Sequence, residues 1–152
     1  MTTASQQATW QLYWDDVSVG DTLPEYTMEL TPLKMVEHVS GSQDFSPVHH
    51  NVEFARSAGH EDIFVNTGFT RATLGRILTD WIGERGWLRK LGFQMRKQNR
   101  PGDTLTIRGR VTAVRDGEDG MGEVDVDVWI ENDRDGIATP GEATVLLPKR
   151  ND

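Results

Sequence analysis

The 152-residue sequence contains no cysteine. That excludes a disulfide framework, a thiolate metal site and a cysteine nucleophile. It also lacks any apolar run near the roughly 18 residues that a membrane-spanning helix needs, so no membrane partner is expected. Basic residues are in short supply: 16 Lys and Arg stand against 24 Asp and Glu, for a net charge of −8. Such a surface repels nucleic-acid phosphates and anionic lipid unless a local basic patch overrides it, and no nucleic-acid partner is expected. Residues 1–11 have neither the basic head nor the apolar stretch of a secretory signal, so a cytoplasmic location is the default expectation. Hydrophobic residues make up only 36% of the chain. A small domain with so little apolar material gains by burying surface against a second subunit.

What is present reads as one domain over residues 11–152, preceded by a disordered tail at residues 1–10. Tyr26, Met28 and Leu30 alternate with Glu25, Thr27 and Glu29, the period of a half-buried strand. Thr31-Pro32 suits the N-cap and first turn of a short helix that ends at Ser40-Gly41-Ser42. Leu33, Val36 and Val39 are expected on its buried side. A loop at 43–51 and a second short helix at 52–57 follow. The longest helical pattern runs over 67–82, with Leu74, Ile77, Leu78, Trp81 and Ile82 at helical spacing, Asn66 or Thr67 as cap and Gly83 just past the end. Trp81 and Ile82 are expected in the core.

The second half switches to a period of two. Leu91, Phe93 and Met95 begin it, and strands containing Leu105 to Val111, Val124 to Ile130 and Ala143 to Leu147 follow, separated by turns at 116–120 and 132–136. Trp10, Trp14 and Trp87 are expected to cover the sheet or a subunit contact. Segregated helices and consecutive antiparallel strands indicate α+β. One long apolar-faced helix and one curved sheet bury each other's exposed faces if the sheet wraps the helix, which is the hot-dog arrangement.

The chemistry-bearing loop is Asp44-Phe45-Ser46-Pro47-Val48-His49. A loop bent at Pro47 can aim Asp44 and His49 at one point, and a carboxylate and an imidazole converging on one water make a general acid–base pair. The same spacing also fits an Asx turn at Asp44 with His49 on the surface. His38, His49, His50 and His60 lack the spacing of metal ligands, and no metal is expected. His38 is expected on the surface, with His50 and His60 solvated or packed locally.

These residues resemble the D-x-N-P-x-H hydratase motif of MaoC-like enzymes. Two more segments support the likeness: Val17-Ser18-Val19-Gly20-Asp21 resembles the family's V-G-D strand entry, and Arg100-Pro101-Gly102-Asp103-Thr104-Leu105 its R-P-G-D-T-L turn. The likeness covers residues 12–148. It implies a hot-dog (R)-specific enoyl-CoA hydratase or dehydratase in which Asp44 and His49 activate water and no cofactor is needed, CoA being the carrier of the substrate. Val48-His49-His50, Ile63-Phe64-Val65-Asn66 and Thr79-Asp80-Trp81 resemble hydratase subunits of actinobacterial steroid side-chain degradation, which adds bulky acyl-CoA thioesters to the candidate substrates. Two positions depart from the family pattern. Ser46 replaces the motif Asn, and Asn66-Thr67 replaces a His-Gly at the entry of the central helix, with Gly68 one residue later. The family's Gly donates its backbone N–H to the thioester oxygen. The resemblance leaves Thr67 or Gly68 in that role and Ser46 and Asn66 as motif support.

Arg89, Lys90, Arg96, Lys97 and Arg100 form one basic cluster. It reads either as a solvated strand face or, at Arg96, Lys97 and Arg100, as a contact for the CoA phosphates. Phe45 and Phe64 flank the loop and read as an acyl tunnel or as packing. The competing functions are a hot-dog thioesterase, a supporting subunit of a heteromeric hydratase and a dehydratase of carrier-protein thioesters. A homodimer is the first expectation for assembly, with a heteromer containing a second hot-dog subunit as the alternative.

Overall fold

The computed structural model describes residues 10–150. Of the tail expected at residues 1–10, residues 1–9 lie outside the described residues. Trp10, placed with that tail, is part of the described fold: its indole N–H donates to the Trp81 carbonyl at 3.0 Å.

Five strands form one antiparallel sheet in the order β1-β3-β4-β5-β2. They are β1 (Tyr26–Glu29), β2 (Trp87–Phe93), β3 (Thr104–Asp116), β4 (Met121–Asn132) and β5 (Gly136–Pro148). Three helices precede β2: α1 (Pro32–Ser42), α2 (Val52–Ser57) and α3 (Thr67–Ile82). One face of the long strands buries Leu105, Ile107, Val124, Val126, Val128, Ile130, Val145 and Leu147, and Leu74, Leu78 and Ile82 of α3 fill the space in front of them. The alternation of the strands puts these side chains on one face, and the 3.6-residue period of α3 delivers the matching stripe. Sheet and helix thus bury each other, and the fold is the α+β hot-dog. None of the described helices is long and apolar enough to cross a membrane.

The capping chemistry sets the helix limits. The Thr31 hydroxyl accepts from the Lys34 amide, and Pro32 opens α1. The Asn66 side chain caps α3 through the Phe69 amide at 2.8 Å. Past the end of α3, Gly83 has φ +79°, and a Cβ there would lie 2.4 Å from the Trp10 carbonyl oxygen. The Gln11 side chain donates to the Ile82 carbonyl and accepts from the Arg85 amide, so the N-terminal segment straps the end of α3. Replacing Gly83 by Ala adds left-handed strain and a backbone clash. It is expected to cost about 1–3 kcal/mol, read as a lowered urea midpoint with an unchanged slope.

Three expectations about placement fail, at Leu33 and Val36, at His38 and at Met95. Leu33 and Val36 are 66% and 58% exposed, whereas Met35, His38 and Val39 are buried. Both sets fit a helical period, so the pattern within α1 was ambiguous, and packing in the folded core selected the second. His38 is therefore an interior residue. Met95 lies outside β2, because regular pairing with β5 ends at Phe93 and both the Arg96 and Lys97 amides donate to the Ala138 carbonyl. That irregular segment stays bonded to β5 but breaks the strict alternation from Met95 onward. Trp81 and Ile82 are core residues, as expected, and Trp14 is partly buried against the core. Trp87 is 66% exposed on the edge strand.

Candidate active site

Helix α1 ends in Gln43, whose φ of +56° turns the chain sharply into Asp44. Pro47 then opens a single 3-10 turn, Pro47–His49, in which the His49 amide bonds back to the Ser46 carbonyl. This tight path returns His49 toward Asp44. His49 Nε2 lies 3.4 Å from Asp44 Oδ2. The Phe64 carbonyl accepts a hydrogen bond from His49 Nδ1 at 2.8 Å, which fixes the ring so that Nε2 is the nitrogen facing the carboxylate. The imidazole is buried, while the Asp44 side chain is 43% exposed and opens the pair to the outside.

Two donors hold the Asp44 carboxylate. The Ser46 amide donates to Oδ1 at 3.3 Å, which is the Asx turn. The alternative reading of the loop is therefore present in part, but with His49 buried beside the turn rather than on the surface. Asn66 Nδ2 donates to Oδ2 at 3.0 Å and to the Ser42 hydroxyl at 2.9 Å. The Ser42 hydroxyl in turn donates to the His38 carbonyl at 2.7 Å. Ser46 supports the motif through its backbone. The Ser46 amide, more than any other group, holds the Asp44 carboxyl below the usual carboxylate range; the Asn66 amide and the nearby His49 add to this, and partial desolvation opposes them.

Asn66 also positions the start of α3. One side chain accepts from the Phe69 amide and donates to Asp44, so the carboxylate and the helix N-terminus are tied together. The Thr67 and Gly68 amides precede Phe69, are solvent-accessible and have no acceptor among the described residues. They carry the positive end of the α3 dipole. A Cβ at Gly68 would sit 3.3 Å from Asn66 Oδ1 and 3.4 Å from Ser42 Cβ. Glycine thus lets the helix entry close onto Asn66 and Ser42.

His38, Ser42 and the Phe64 carbonyl were not singled out from sequence. Helical spacing from Met35 was a usable signal for His38. Its ring centroid is 6.2 Å from that of His49 and 5.4 Å from that of Phe69, both edge-on. Both ring nitrogens are buried without a partner at hydrogen-bond geometry. Burial pushes the His38 imidazole below its ordinary value, against the opposing influence of the Lys34 carbonyl, so His38 stays neutral at neutral pH. His50 is exposed, with Nε2 3.1 Å from the Phe45 carbonyl, and His60 Nδ1 accepts from the Gln98 side chain. Phe45 is exposed, while Phe64 packs edge-on against His49 at 5.1 Å.

The basic cluster divides. Arg89 pairs with Glu123, Lys90 with Glu142 and Arg100 with Glu61. Arg96 and Lys97 are exposed and make no ion pair among the described residues. They line a cavity of about 600 Å³ together with His60, Phe64, Met95 and Arg134. A second cavity, about 300 Å³, is walled by Met28, His38, Phe69 and Thr73. Asp44 and His49 form the wall of neither. Each cavity approaches the pair through one ring packed on His49, Phe64 on the cationic side and His38 on the apolar side.

A hot-dog domain with a carboxylate–imidazole pair beside open amides at its central helix defines the class. Comparison with known proteins makes the assignment narrower. The model of the MaoC-like domain matches residues 18–132, and the chain belongs to that family. It is 35% identical over 99 residues to the 3-oxo-4,17-pregnadiene-20-carboxyl-CoA hydratase beta subunit of Mycobacterium tuberculosis, an alignment spanning 65% of this chain and 77% of the relative. The ChsH1-ChsH2 complex of the same organism contains a chain with 29% identity and a TM-score of 0.76, covering 88% of this chain and 98% of that one. An (R)-hydratase from A. caviae involved in PHA biosynthesis shares the fold, with a TM-score of 0.75 at 21% identity over 88% of this chain and 98% of its own. Within the family, this chain is a hydro-lyase.

Proposed function

We propose that the chain catalyses reversible hydration of a trans-2-enoyl-CoA to an (R)-3-hydroxyacyl-CoA. The observation that carries this reading is the 3.4 Å approach of Asp44 and His49 beside the free amides at the start of α3. A water bonded to both side chains sits at the apex of a triangle over them. Asp44, held below the usual carboxylate range, is a weak proton acceptor and orients the water. His49 Nε2 takes one proton as the oxygen bonds to C3. The electrons of the double bond move toward the thioester, and the charge that grows on its oxygen is met by the Thr67 or Gly68 amide and the α3 dipole. The imidazolium returns a proton to C2 on the same face. No cofactor is needed, because the thioester itself accepts the charge.

The two cavities match the two ends of such a substrate. Arg96 and Lys97 offer uncommitted cations to the CoA phosphates, whereas the charge of Arg100 is already balanced by Glu61. The apolar cavity next to His38 suits the acyl part. The relative named for a pregnadiene-carboxyl-CoA supports a bulky, steroid-type acyl group, and its designation as a beta subunit supports a heteromer in preference to a homodimer. The thioesterase alternative has little support. The described first half of α3 carries no carboxylate, and Asp80, at its far end, pairs with Arg76.

Loss of enoyl-thioester absorbance on adding the purified chain to crotonyl-CoA and to longer and steroid-type esters tests the reaction. Release of free thiol without that loss would overturn it in favour of a thioesterase. Reversing the charge of Arg96 and Lys97 together is expected to raise KM about 10- to 100-fold at low salt, with the gap narrowing as salt is added. A KM indifferent to both the substitutions and salt would remove these residues from the phosphate contact.

A further inference from the structure

On α3, Phe69, Thr73, Arg76, Ile77, Asp80 and Trp81 recur at steps of one, three and four, which places them along one side of the helix. Two cavities lie along this side. The first is the 300 Å³ cavity already described. The second, about 260 Å³, is walled by Trp10, Pro24, Ile77 and Trp81. Tyr26 and Arg76 belong to the walls of both. The Arg76 guanidinium lies 5.0 Å from the centroid of the Tyr26 ring, and its Nε is 3.3 Å from Asp80 Oδ2. The two side chains form a bar between the chambers. Arg76 and Asp80 are 62% and 68% exposed, so the bar is held by a cation over a ring and one surface ion pair, both weak in water.

We propose that Arg76 determines acyl-chain specificity: the chambers form one acyl groove along α3, and Arg76 closes it after the first chamber. This rests on the hydratase reading. The occupant is the acyl chain because the near chamber is walled by His38, whose ring packs edge-on against that of His49, and by Phe69, which lies immediately after the Thr67 and Gly68 amides proposed to face the thioester. A chain whose carbonyl sits at those amides, with its phosphates on the cationic side, extends along the apolar side of α3. Short chains end before Arg76. Longer or polycyclic ones require its side chain to swing off Tyr26, and then reach Ile77, Trp81 and Trp10.

The test is a chain-length series of crotonyl-, octenoyl- and dodecenoyl-CoA with wild type, Arg76→Ala and Asp80→Asn, each checked for cooperative thermal unfolding. The expected result is a rise of about tenfold in the dodecenoyl-to-crotonyl ratio of kcat/KM for Arg76→Ala, carried by KM. Asp80→Asn, which only loosens the bar, shifts the ratio less and in the same direction. An unchanged ratio with hydration intact overturns the role of Arg76 and leaves the hydratase reading standing. Equal losses on all three esters overturn it also, because a merely structural role acts on every substrate alike. A wild-type chain that hydrates none of the esters overturns the hydratase reading and this inference together.

Discussion

Replacing Asp44 by Asn is expected to lower hydration of crotonyl-CoA or a longer enoyl-CoA by about 10²–10⁴-fold, the usual worth of a positioned acid–base group. The isosteric amide keeps the Asx turn through its oxygen, so the fold survives. The loss falls on the water, which no longer meets two acceptors, and on the imidazolium, which loses the opposite charge 3.4 Å away. His49→Gln removes the proton acceptor itself and is expected to act on the same scale. The two losses are not additive, since both groups serve one proton transfer. Steady-state rates of the two single variants and the double variant, each with native circular dichroism, check this. Activity retained in both folded single variants would remove the pair from the mechanism.

The second large effect is expected at Asn66, which touches no reacting atom. Its side chain holds the Asp44 carboxylate, bonds the Ser42 hydroxyl and caps α3. Asn66→Ala frees the carboxylate to swing toward solvent and loosens the amides that face the thioester. A shift of that kind, near an ångström, costs about 10²-fold in rate. Loss of the cap costs about 1 kcal/mol of stability. The variant also makes a titration prediction. Asn66 donates to the ionised form of Asp44, so removing it raises the Asp44 pKa from its lowered position toward the usual carboxylate value. The sign for stability follows. A carboxyl depressed in the folded state stabilises it above the unfolded-state value, and that contribution fades as pH falls through the folded-state value. Asn66→Ala therefore loses less on acidification than wild type does. A carboxyl-carbon NMR titration of Asp44 reads the shift, and an unmoved titration would show that Asn66 does not hold the carboxylate.

Much of this architecture was legible in the chain. The limits of α3 follow from a cap at Asn66, an apolar stripe and Gly83, all local features whose physics needs no tertiary partner. The hairpins follow from strict alternation and turn residues. Asp44 and His49 could be singled out because the bend at Pro47 is also local. What was not legible depended on contacts across the fold. The inner face of α1 could be drawn through Leu33, Val36 and Val39 or through Met35, His38 and Val39; Val39 is buried as expected, and only packing in the folded core chose Met35 and His38 over Leu33 and Val36. The placement of His38 beside His49 came with that choice. Two of the polar contacts of Ser42 are local, with the His38 carbonyl and the Asp44 amide, but the one that ties it to the site comes from Asn66, 24 positions away, and only the closure of the loop against α3 supplies it.

The basic residues show the same division. Their clustering between positions 89 and 100 is a property of the sequence, but which of them keep a free charge is not. Arg89, Lys90 and Arg100 find acidic partners 34, 52 and 39 positions away in the chain. Arg96 and Lys97 do not, because the regular register with β5 ends at Phe93 and the irregular segment that follows places them in the wall of a cavity. Periodicity, caps and turns are encoded by neighbours within a few residues, and the sequence alone determined the α+β class, the long helix and the acid–base loop. The anchoring of His49 by the Phe64 carbonyl, the grip of Asn66 on Asp44 and the placement of Arg76 over Tyr26 arise from groups far apart in the chain, and only the folded arrangement of sheet and helices decided them.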